Sequence, residues 1–123
     1  MKRVLVAIVF ATALSTTAAE ESAYEPTYES ASIKYAIYGQ DLSEPAKPTK
    51  KDSKIAFSLT GRVAQEMFEA MPPDRDIKCA DDTGFRFRSR DHERLVCTFY
   101  LGEYACSFGF DLGTGKSIGG GNC

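Results

Sequence analysis

The apolar positions of the central chain switch between two periods. Ile55, Phe57 and Leu59 alternate with Ala56 and Ser58, the period-two pattern of a half-buried strand. Val63, Ala64, Met67, Phe68 and Met71 then recur at helical spacing, with Arg62, Gln65, Glu66 and Glu69 on the other side. The spacing predicts a helix at about 61–71, N-capped by Thr60 and stopped by Pro72-Pro73, where a donor is missing and the residue before proline avoids the α region. Short strands follow at Ile77–Ala80, Phe85–Arg90, Arg94–Leu101 and Tyr104–Leu112, separated by turns rich in Asp and Gly. In the last hairpin Leu95, Cys97, Phe99 and Leu101 share one face, and so do Tyr104, Cys106, Phe108, Phe110 and Leu112. Any register whose paired numbers have an odd sum brings these two sets together, so this core face does not depend on which turn is used. The expected fold class is α+β: one helix packed on a small antiparallel sheet, stapled by disulfides.

The first 54 residues differ in character. Lys2 and Arg3 precede an apolar run from Val4 to Leu14, and small residues end at Ala18-Ala19 before Glu20. That is the layout of a secretory signal peptide over residues 1–19, and the run is too short to cross a bilayer. Removing it takes away two bases and no acid, moving the net charge from −2 to −4. Residues 20–54 form an N-terminal arm. It starts with Glu20, Glu21, Glu25 and Glu29 and no base, carries a candidate strand at 32–38, and ends in a linker at 43–54 with two prolines and four lysines. Within 32–38, Ile33, Tyr35 and Ile37 lie on one side. Returning this strand to the edge of the sheet is preferred over a detached arm, which would leave all three in water. The compact α+β domain is expected over 55–123.

The four cysteines, Cys79, Cys97, Cys106 and Cys123, all fall in the last 45 residues. An even count in a short exported chain reads as a disulfide framework, whereas zinc would want C-x-x-C pairs that are missing. A two-residue loop at Thr114-Gly115 would set Cys106 opposite Cys123 and leave Cys79 for Cys97. The rival pairing, Cys97 with Cys106, needs a turn at Leu101-Gly102, where Gly102-Glu103 fits the type II′ preference better. The 79–97 and 106–123 pairing is therefore expected.

Chemistry-bearing groups are sparse. His92 is the only histidine. It sits in Asp91-His92-Glu93, where consecutive turn residues point apart, so no metal site is expected, and as a general base it would need an oriented nucleophile. Gly115-Lys116-Ser117 imitates the end of a phosphate loop, but Phe110 stands where the first glycine belongs and no helix follows. No cofactor is expected. The most informative stretch is Phe85-Arg86-Phe87-Arg88-Ser89-Arg90. Strand alternation would send Phe85 and Phe87 inward and Arg86, Arg88 and Arg90 outward, with Arg94 and Tyr100 joining the exposed face. One reading is a solvated sheet face made soluble by charge, which also guards against edge pairing; the other is a positive, partly aromatic plate for an acidic partner, since guanidinium forks suit carboxylates and phosphates and stack on aromatic rings. Given a net charge of −4 and export, an acidic protein surface or anionic glycan fits better than nucleic acid.

The stretch Gly61-Arg62-Val63-Ala64-Gln65-Glu66-Met67-Phe68, Cys97, and the run from Tyr104 to Gly115 resemble a loose group of small uncharacterised exported bacterial proteins, with a G-x-x-A helix and a Cys-bearing C-terminal β-hairpin. The resemblance implies a periplasmic or secreted home and no reaction. The leading expectation is a non-enzymatic binding protein, of the periplasmic inhibitor or immunity type, acting through the arginine face. A structural or envelope-associated protein is the alternative, and a small hydrolase using His92 comes third.

Overall fold

The computed structural model describes residues 7–76 and 84–121. Among the described residues, seven strands and one helix succeed one another: β1 (Ile33–Asp41), β2 (Glu44–Ala46), β3 (Lys54–Thr60), α1 (Arg62–Glu69), β4 (Arg86–Arg90), β5 (Leu95–Tyr100), β6 (Glu103–Asp111) and β7 (Ser117–Ile118). All pairings are antiparallel, in the order β2-β1-β3-β6-β5-β4, with β7 beside β6. The fold is thus sheet-dominated, with α1 packed on one face, here called the front. The expected strand at 77–80 lies outside the described residues.

The strand expected at 32–38 does return to the sheet, as β1 along β3. The expected linker carries β2, which folds back on Gly39–Asp41 through a turn where the Asp41 carboxylate accepts the Ser43 amide and hydroxyl. The Asp52 carboxylate accepts the Gln40 amide at 2.7 Å and pairs with Lys54, tying the end of β1 to the start of β3.

The helix begins one residue later than expected. Gly61, with φ +74°, is the N-cap, and no side chain caps the first turn. A positive φ suits glycine and would strain Thr60, which stays in β3. The core forms where α1 meets the front face: Ala64, Phe68 and Met71 pack on Leu59, Cys97 and Cys106, flanked by Val63, Met67, Leu95, Phe99, Tyr104 and Phe108. This is the face expected of the β5–β6 hairpin.

The hairpin registers correct the disulfide expectation. Cys97 stands opposite Cys106 and bonds to it, with 4.1 Å between Cα atoms, the close spacing of a non-hydrogen-bonded pair. The 79–97 and 106–123 pairing is excluded, and Cys79 and Cys123 lie outside the described residues. The turn is at Leu101-Gly102, not Gly102-Glu103, and both residues have positive φ (+49° and +80°), as a type I′ loop requires. Leu101 bears the cost of that conformation. The disulfide and the Phe99–Tyr104 ring pair, 4.6 Å apart, favour this register over the glycine preference of the turn.

The β6–β7 loop spans four residues, 112–115, and not the expected two at Thr114-Gly115, because the Asp111 carboxylate accepts the amides of Gly113 and Thr114 and its carbonyl accepts that of Gly115. Gly109 therefore faces Ile118, a register that does not bring Cys106 opposite Cys123. Beyond β7, Gly120 lies so close to β6 that a Cβ would fall 2.0 Å from the Phe108 carbonyl oxygen, which accounts for a glycine there.

Candidate functional site

Front-face side chains form rows that can be read across the sheet. One row runs Ile33, Leu59, Cys106, Cys97, Arg88; the next runs Tyr35, Phe57, Phe108; a third runs Ile37, Ile55, Phe110, Ser117. Because Arg88 stands opposite Cys97, and Arg86 opposite Phe99, the arginines of β4 lie on the helix side. Phe87 and Ser89 are buried on the back face instead. This reverses the sequence expectation. Alternation separates the two faces of a strand but does not say which one a helix will cover.

The arginines are occupied by the helix they flank. Arg88 lies with its guanidinium 4.1 Å from the centre of the Phe68 ring, donates to the Phe68 carbonyl at 2.7 Å, and pairs with Asp74 at 2.7 Å. Arg86 pairs with Asp74 at 2.8 Å and also stacks over Phe68. Arg90 donates to the Pro72 carbonyl at 2.6 Å. At the helix C-terminus, where cations are favoured, the Phe68 carbonyl takes the Arg88 guanidinium beside the Met71 amide, and Arg90 reaches the chain just beyond the helix. Arg94 sits in the β4–β5 turn, 3.3 Å from Asp91. Tyr100 is on the back face, its ring 5.8 Å from that of Phe85. The five residues do not converge on one exposed plate.

The two arginine hydrogen bonds, Arg86 first and Arg88 second, hold the Asp74 carboxyl down at about 2. A carboxyl lowered in the folded state stabilises the fold above its ordinary value, and that contribution fades as the pH falls through the lowered one. Because Asp74 is 43 % exposed, solvent screening leaves about 1 kcal/mol of it. Asp74→Asn is expected to lower stability at pH 7 by that amount and to flatten its decline between about pH 4 and pH 2, as urea titrations would show.

His92 is 89 % exposed, in a turn where Asp91, His92 and Glu93 all have positive φ. Of the nearby hydroxyls, Ser89 is buried and Thr98 donates to the Ala105 carbonyl. Among the described residues no group of three His, Cys, Asp or Glu side chains could hold a metal ion.

What the front face does leave open is apolar. Helix α1 packs mainly over β3, β5 and β6, and the front-facing side chains of β1 stay exposed. Ile33, Tyr35 and Ile37 are 47 %, 68 % and 49 % exposed, and Phe110 and Leu112 are 38 % and 51 % exposed. Between them lie half-buried Ile55, Phe57 and Phe108, the last two with rings 5.1 Å apart. Joining the sheet therefore did not dry the three side chains of β1. Together these rows form an exposed apolar patch beside the core, the kind of surface that marks a contact site. Sequence reading missed this site, although the signal was there: three strands with apolar residues on the same face, and one helix too short to cover them.

The chain matches no family model, no curated protein and no solved structure.

Proposed function

We propose that this chain is a small exported binding protein, of inhibitor or immunity type, that holds another protein through the open apolar rows of its front face. The observation that carries this reading is the exposure of Tyr35, Ile37, Phe110 and Leu112 on one continuous face beside a packed core. Apolar side chains gathered on one face mark contact sites far more than scattered ones do. The arginine strand is a poor carrier for an acidic protein or an anionic glycan, because Arg86 and Arg88 already serve Asp74 and the helix end. The leader-like N-terminus supports export and the disulfide is compatible with it. Among the described residues no helix is long and apolar enough to cross a membrane.

A photoreactive benzoylphenylalanine in place of Leu112 tests the reading in cells. It is expected to capture one protein, and Phe110→Asp is expected to abolish that capture while the purified variant stays folded. Capture of the same protein from the position of back-face Lys34, undiminished by Phe110→Asp, would contradict it.

A further inference from the structure

The β1 strand offers a second kind of surface, which does not depend on what the apolar rows bind. Residues 33–38 hydrogen-bond to β3 on one side, while on the other β2 covers only Gly39–Asp41. Among the described residues, six residues of strand edge therefore have no ladder partner. Proteins guard such edges with prolines, bulges or several charges, and the stretch 33–38 carries only Lys34. Its front-facing side chains, Ile33, Tyr35 and Ile37, are all exposed.

We infer that β1 pairs with β1 of a second copy, antiparallel across a two-fold axis, to make one continuous sheet. Self-pairing with both fronts on the same side requires registers in which residues of like parity face each other. Centring on Lys34 would oppose two ammonium groups. Centring on Ala36 would bring Ile33 against Gly39, where β2 already sits. Centring on Tyr35 avoids both: Ile33 faces Ile37, Lys34 faces Ala36, and the pairing runs from Ser32 to Tyr38, where β2 stops it.

Charge supports the same occupant. Upstream of Ser32, each chain would leave beside the second copy's Ala46–Lys47, since Ala46 pairs with Gly39 at that end of the edge. The departing arm carries Glu20, Glu21, Glu25 and Glu29 without a base, and the stretch it would meet carries exposed Lys47, Lys50 and Lys51. Glu29 already reaches Arg62 at 3.4 Å, so the intermolecular attraction falls to the other three glutamates. Two isologous contacts of this kind favour a second copy over an unrelated strand.

Sedimentation velocity on the purified chain, up to about 100 μM, tests the pairing. The wild type is expected to dimerise, and less tightly in high salt. Tyr35→Lys and Tyr35→Asp are each expected to be at least about tenfold weaker, because residue 35 faces its own copy, and an equimolar mixture of the two is expected to recover the dimer. Unchanged far-ultraviolet circular dichroism would show that both variants fold, as the exposure of Tyr35 leads one to expect. A wild type that stays monomeric, a single variant that still dimerises, or a mixture that fails to pair would overturn the inference. A monomer that still held a partner through Leu112 would overturn this pairing alone and leave the proposed function standing.

Discussion

Phe68→Ala is expected to cost about 3–5 kcal/mol, the largest loss of any single truncation in this domain. Phe68 is 1 % exposed and sits at the centre of the core. Its ring lies 5.4 Å from Tyr104 and 6.5 Å from Phe99, with the Arg88 and Arg86 guanidinium groups on it. The surroundings cannot easily collapse into the hole, because the Cys97–Cys106 bond fixes the floor beneath it. The cavity penalty therefore adds to the lost transfer energy. Truncation also strips two cations of their aromatic support, so Phe68→Leu, which keeps most of the volume, should still cost about 1 kcal/mol. Urea midpoints at constant slope measure both. A Phe68→Ala loss below about 1 kcal/mol would mean that the helix does not anchor this core.

Arg88→Ala is expected to cost about 2–3 kcal/mol, well above Arg86→Ala at about 1 kcal/mol or less. The two arginines share Asp74 and the same aromatic ring, but their settings differ. The Arg88 side chain is 12 % exposed and also donates to the Phe68 carbonyl at the helix end, whereas that of Arg86 is 42 % exposed. Losing Arg88 removes the charged donor from a part-buried carbonyl, which keeps only the Met71 amide, and also takes from Asp74 one of its two arginines. Arg88→Lys should recover less than half the loss, since one ammonium cannot serve the carboxylate, the carbonyl and the ring together. Equal effects of the two truncations would contradict this division of labour.

Periodicity made much of the fold legible. The helix at Arg62–Glu69 and the strand before it follow from spacing alone, and so does the core face of the β5–β6 hairpin, because that face survives any odd-sum register. What failed depended on choices that local pattern does not fix. Turn preference pointed to Gly102-Glu103, yet cross-strand partners selected Leu101-Gly102 and with it the Cys97–Cys106 bond. Alternation in Phe85–Arg90 separates two faces, but charge alone does not say which of them meets solvent. The Phe68 carbonyl and ring at the helix end and the carboxylate of Asp74 make the covered side the better place for arginine. The apolar rows escape local pattern too, because joining the edge of the sheet does not by itself cover Ile33, Tyr35 and Ile37.

Hydroxyl-radical footprinting of the purified chain tests most directly which face is open. Phe110 and Leu112 should be oxidised readily, while Phe87 and Tyr38, at 4 % and 5 % exposure on the back face, should be protected. Fast oxidation of Phe87 with protection of Phe110 and Leu112 would mean that the arginines face solvent after all and that the apolar rows are covered.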